Sequence, residues 1–128
     1  MPTTPRDFQS PSNAELRVLD ALWRLGPSTV RELANALYGQ PSNVQYRTVQ
    51  VQLDRLEKKR LIGRERSDSP QRFAAKVDRA SFIGGELQTM ADKVCDGSLG
   101  PLLLNLARKA QLSAIEREEL SRLLGEDD

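Results

Sequence analysis

The sequence predicts a mainly α-helical chain with one short β-hairpin, and three observations carry that prediction. Apolar residues recur at helical spacing in three successive front segments, separated by capping and turn residues. The third segment runs directly into a charged stretch, Leu61 to Val77, with turn formers at its centre. Beyond Asp78 the strand signals end and leucine-rich helical segments take over. Three helices and then a hairpin is the order of a winged helix-turn-helix. The expected fold is therefore that domain followed by a C-terminal helical region.

Residues 1–11 include three prolines and no apolar stretch, so they read as an arm and not as a signal peptide. Ser12 and Glu15 have capping-box spacing, which starts a helix near Asn13. Leu16, Leu19, Leu22 and Trp23 give it an apolar stripe, and Gly26-Pro27 ends it. Trp23 is expected in the core. Ser28 or Thr29 opens the second helix, with Glu32 completing a box, and Val30, Leu33, Ala34 and Leu37 are its buried face. Gly39 to Asn43 is a turn signal. The third helix is expected from about Gln45 to Lys59.

Leu61 to Arg66 and Arg72 to Val77 read as the two strands of the wing, joined by Ser67 to Gln71. Asp78 can cap a helix reaching about Cys95, with Gly84-Gly85 inside it as a site of bending or close packing. Asp96-Gly97-Ser98 is a break. Leu99 to Ala110 reads as an apolar helix, and the Ser113/Glu116 box opens a last one to Leu124. The expected organisation is an arm (1–11), a winged-helix domain (12–77), a helical dimerisation region (78–124) and an acidic tail (125–128).

Composition removes several function classes. No apolar run approaches the ~18–20 residues that cross a bilayer, so a cytoplasmic protein without membrane insertion is expected. Cys95 is the single cysteine, which excludes an internal disulfide and reads as a small inert hydrophobe. The chain has no histidine, which removes His-based metal sites and the commonest general base. No glycine-rich phosphate loop or catalytic frame is present either. No enzyme activity, cofactor or metal is expected. The overall charge of +1 hides a division. Up to Val77 there are thirteen Lys/Arg against eight Asp/Glu, a net +5; the remainder has six against ten, a net −4. A basic front half favours a polyanion partner for that half alone.

The third helix is where a polyanion would be met. At 100° per residue, Tyr46, Val49, Leu53 and Leu56 fall in one narrow inward stripe. Arg47, Thr48, Val51 and Arg55 lie on the other side over two turns. Arg can bridge guanine acceptors, Thr can bond a base or phosphate, and Val can meet a thymine methyl. These four are the expected base contacts, with Gln50 at the border of the face. Lys58 and Lys59 near the helix end, and Arg66 and Arg72 in the wing, suit phosphates. An ordinary solvated helix face is an equally good reading of this helix taken alone, and a basic face for an acidic protein partner is a second. The leucine-rich back half supplies the other module. Leu99, Leu102, Leu103, Leu106, Leu112, Ile115, Leu120, Leu123 and Leu124 exceed what two short helices can hide, so a homodimer is expected.

This order of motifs resembles the winged-helix repressors of penicillinase and methicillin-resistance genes, related to the copper-transport repressors. Glu15 to Trp23 is similar to their first helix, Thr29 to Ala34 to their second, and Tyr46 to Lys59 to their recognition helix. Asp96 to Leu106 and Leu112 to Leu124 resemble the dimerisation tail. The resemblance implies a homodimeric transcriptional repressor on double-stranded DNA, bound to an inverted-repeat operator. It further implies release by a sensor protease, with the matching bond at Asn105-Leu106. The chain departs from the family at four places: it has no Cys-x-Cys pair, it has Val51 where Thr is usual, it has Leu106 where Phe is common, and its wing turn lacks glycine.

Overall fold

Local capping chemistry sets where the helices begin. In the computed structural model, which describes residues 9–65 and 70–125, four helices open on reciprocal capping boxes. They are α1 (Asn13–Leu25), α2 (Val30–Tyr38), α3 (Asn43–Lys58) and α6 (Ala114–Leu123). Their caps are Ser12 with Glu15, Thr29 with Glu32, Ser42 with Gln45, and Ser113 with Glu116. Each box satisfies N–H groups that a helix start otherwise leaves open. Three of the four follow the sequence expectation. The Ser42/Gln45 box does not: it starts α3 two residues earlier than the turn signal suggested.

The other elements are β1 (Ser28–Thr29), β2 (Ile62–Arg64), β3 (Arg72–Ala75), α4 (Arg79–Val94) and α5 (Gly100–Lys109). β1, β3 and β2 form an antiparallel sheet in that order, with Ser28 opposite Phe73 and Ile62 opposite Ala75. Both wing strands are shorter than expected. The tip of the wing, including Arg66, lies outside the described residues. β1 has no counterpart in the sequence reading, because two residues cannot show an alternation and Thr29 is already read as a cap.

The α3 chain reversal explains how helix and wing join. Arg60 N–H bonds the Glu57 carbonyl and Leu61 N–H bonds that of Leu56, the paired bonds of a Schellman ending. Arg60 takes φ +66°, a left-handed position that normally selects glycine. The turn delivers Leu61 and Ile62 into a core shared with Val18, Leu19 and Leu22 of α1, Leu33 of α2, Val49, Leu53 and Leu56 of α3, and Phe73 of β3. Trp23 is only partly buried at the edge of this core; its indole N–H donates to the Val77 carbonyl at 2.8 Å.

The chain divides into two compact units between Thr89 and Met90, inside α4, and not at Asp78 where the sequence changes character. The first turns of α4 belong with the winged helix because Phe82 is buried there, its ring 5.5 Å from that of Trp23. A Cβ at Gly84 would meet open space, so close packing does not explain that glycine. In the second unit α5 and α6 bury none of their residues. Among the described residues, no helix is long and apolar enough to cross a membrane.

Candidate nucleic-acid interface

α3 separates core from surface cleanly. Val49, Leu53 and Leu56 are fully buried, with Tyr46 packed partly against them. Arg47, Val51, Arg55 and Lys58 are exposed on the other side. No ion pair engages Arg47, Arg55 or Lys58 among the described residues, so their guanidinium and ammonium donors face solvent. The early start of α3 adds a residue that sequence reading missed. Val44 is 70% exposed in the first helical turn, and Val51 is 44% exposed two turns on. Positions seven apart differ by only ~20° around a helix, so both valines share the face that carries Arg47, Arg55 and Lys58. The Ser-x-x-Gln spacing of Ser42 and Gln45 is the signal that would have found Val44.

The remaining expected contacts are committed in part. The Thr48 hydroxyl donates to the Val44 carbonyl at 2.9 Å, which uses its one donor and leaves lone pairs and a methyl. Gln50 is half-buried, and its amide donates to Asp54 at 3.1 Å. Asp54 also accepts from Arg64 at 3.2 Å, and the Arg64 Nε–H is shared by both carboxylate oxygens of Glu57 at 3.1 and 3.2 Å. Arg64 further lies over the Phe73 ring, 5.0 Å from its centroid. It thus ties β2 to α3 and neutralises Asp54 and Glu57, the two acids of that helix. Arg72 is half-buried and pairs with Glu32 at 3.0 Å. The Thr29 N–H, and then the Arg72 charge, hold the Glu32 carboxyl below its ordinary pKa.

Lys59 corrects the sequence reading. Its place beside Lys58 suits a phosphate, yet it turns inward. Its ammonium donates to Glu15 at 2.5 Å and to the Ser10 carbonyl at 3.2 Å. Glu15 is 3% exposed and also completes the α1 capping box. Burial pushes its carboxyl upward, but Lys59, the Ser12 N–H and the nearby Arg55 charge outweigh it and hold the pKa below the ordinary value. This pair joins the start of α1 to the end of α3.

The predicted dimerisation residues lie on surfaces with little cover. Leu99, Leu103, Leu106, Ile115, Leu123 and Leu124 are exposed, while Leu102, Leu112 and Leu120 are half-buried. Leu104, absent from the expected set, is 61% exposed beside them. Asn105 and Leu106 are exposed on α5.

Comparison with known proteins places the chain in a family. The family model described as "Penicillinase repressor" matches residues 11–126. The chain belongs to the penicillinase repressor family. It is 26% identical to the penicillinase repressor of Bacillus licheniformis over 115 residues, covering 90% of this chain and 89% of that one. It is 32% identical to the transcriptional regulator BlaI of Mycobacterium tuberculosis over 114 residues, 88% and 80% of the two chains. The HTH-type transcriptional regulator MgrA of Staphylococcus aureus is 34% identical over 110 residues, 84% of this chain and 63% of that protein. The match extends over both units, so the second one is part of the family's pattern and not an unrelated appendage.

Proposed function

We propose that the chain is a transcriptional repressor that binds double-stranded DNA as a homodimer, with α3 of each copy in a major groove of an inverted-repeat operator. The exposed, unpaired row of Arg47, Arg55 and Lys58 around Val44 and Val51 carries this reading. Recognition helices commonly meet base edges with their N-terminal residues, which is where Val44 and Arg47 stand. Val44 and Val51 would contact thymine methyls. A seven-residue separation is about 10.5 Å of helix rise, the span of roughly three base pairs. Arg47 and Arg55 would bond base acceptors; Lys58, with Arg72 and Arg66 of the wing, would hold phosphates. The exposed leucines of α5 and α6 would be covered by the second copy.

Release by a sensor protease follows the family pattern. Cleavage at Asn105-Leu106 would need α5 to unwind locally, and a helix with no buried residue opens at little cost. Loss of α6 would leave two half-site binders without the effective concentration that linkage provides.

Selection from random duplexes tests the reading: a palindrome with half-sites about 34 Å apart is expected. Replacing individual thymines of the selected site by deoxyuridine should weaken the natural chain by about 1 kcal/mol per buried methyl, and should leave Val44→Ala or Val51→Ala indifferent at one position each. Uniform loss at every thymine would remove the valines from base reading. Enrichment of no sequence at all would favour an acidic protein as the partner of the basic face.

A further inference from the structure

A second candidate binding site lies in the winged-helix unit, in a cleft of about 600 Å³ between α1, α2 and the first turns of α4. That volume is within the ordinary range for small-molecule sites. The apolar part of the lining is Leu16 and Trp23 of α1, Leu37 of α2, and Phe82 and Ile83 of α4. Arg17, Arg24 and Arg79 also line it, with Asp20 as the one acid, so the lining is cationic by two charges. Asp20 takes one donor from each of two arginines, Arg24 Nε at 3.0 Å and Arg79 Nη2 at 2.6 Å. A guanidinium has five N–H donors, so both keep several to offer. Arg79 is also stacked over the Trp23 ring, 4.7 Å from its centroid, which holds its planar fork beside the apolar lining.

We propose that this cleft binds a small organic carboxylate with an aromatic or branched aliphatic body of roughly ten heavy atoms. The apolar body would lie on Leu16, Trp23, Leu37 and Phe82, and the carboxylate would join Asp20 on the spare donors of Arg79 and Arg17. No lining residue belongs to α3, β2 or β3, so the assignment is independent of the DNA-binding reading and stands or falls separately. The occupied cleft would clamp the start of α4 to α1 and α2.

Trp23 is the chain's only tryptophan, so intrinsic fluorescence of the full-length protein reports this cleft directly. Phenylacetate and hexanoate should each change that signal saturably, with Kd on the order of 1 mM for fragments of this size. Phenylacetamide, without the charge, and inorganic phosphate, without the body, should bind at least about tenfold more weakly. Ile83→Glu places an acid at an exposed position of the cleft and should weaken phenylacetate by about tenfold or more; Arg79→Met should do the same, with unchanged thermal melts confirming the fold. The proposal is overturned by no saturable response below about 20 mM, by equal binding of phenylacetamide, by phosphate binding as well as the organic acids, or by an unaffected Ile83→Glu variant. A Trp23 signal that follows protein concentration and ignores carboxylates would make the cleft an interface between copies, and would overturn it as well.

Discussion

The two units of this chain solve the burial problem differently. In the winged-helix unit, ten large side chains are essentially inaccessible, drawn from α1, α2, α3, β2, β3 and the turn between α3 and β2. In the second unit Ala91 is the only buried hydrophobic among the described residues, while Leu104 is 61% and Ile115 78% exposed. A folded unit that leaves this much apolar surface in water is unfinished by itself, whereas the first unit is already closed. The difference fits a division of labour in which one unit reads and the other pairs.

The largest expected effect attacks the pairing side. Leu103→Glu with Leu104→Glu would put charges into the proposed dimer surface. It should lower operator affinity by about 10²- to 10⁴-fold in a gel-shift titration and shift sedimentation to the monomer. Hydrogen exchange in α1, α2 and α3 should stay protected, because the first unit's core does not use those leucines. Collapse of that protection would mean that the units are not energetically separate.

A smaller effect tests how the first unit is closed. Glu15→Ala removes the partner of Lys59 and the α1 capping acceptor together, and should cost about 2–4 kcal/mol in urea unfolding. The pH dependence has a definite sign. The Glu15 pKa is held below its unfolded value, so its contribution is full above about pH 4.3 and is lost as pH falls through the lower folded value. Glu15→Gln should flatten that part of the acid profile. An unchanged profile would move the acid sensitivity elsewhere.

The smallest effect concerns Arg60. Replacing it with glycine relieves the left-handed backbone at φ +66° and should raise stability by about 0.5–1 kcal/mol. The same change removes an exposed cation from the end of α3, and a modest loss of DNA affinity with a lower salt slope is expected if Arg60 reaches a phosphate.

Much of this was legible in the chain because capping is local. Ser12, Thr29 and Ser113 each meet a partner three residues away, and the inward stripe of α3 follows from helical spacing alone. Contacts between distant residues were not legible. Nothing near Lys59 distinguishes it from Lys58; its partner Glu15 is 44 residues away and becomes a neighbour only when α1 packs on α3. Arg64 has the same history, since its acids lie on the preceding helix. At the start of α4 composition and packing part company: composition changes at Asp78, while packing, through Phe82 on Trp23, continues into α4. Val44 is hidden for a local reason: the Ser42/Gln45 capping box overlaps a run of turn formers.

The measurement that bears most directly on the reader-and-pairer division is the stoichiometry of the full chain on its selected duplex, by sedimentation at micromolar concentration. Two copies on one palindrome, reduced to weak single-copy binding by the Leu103→Glu, Leu104→Glu variant, is the predicted result. One copy bound tightly to an asymmetric site, unaffected by that variant, would contradict it.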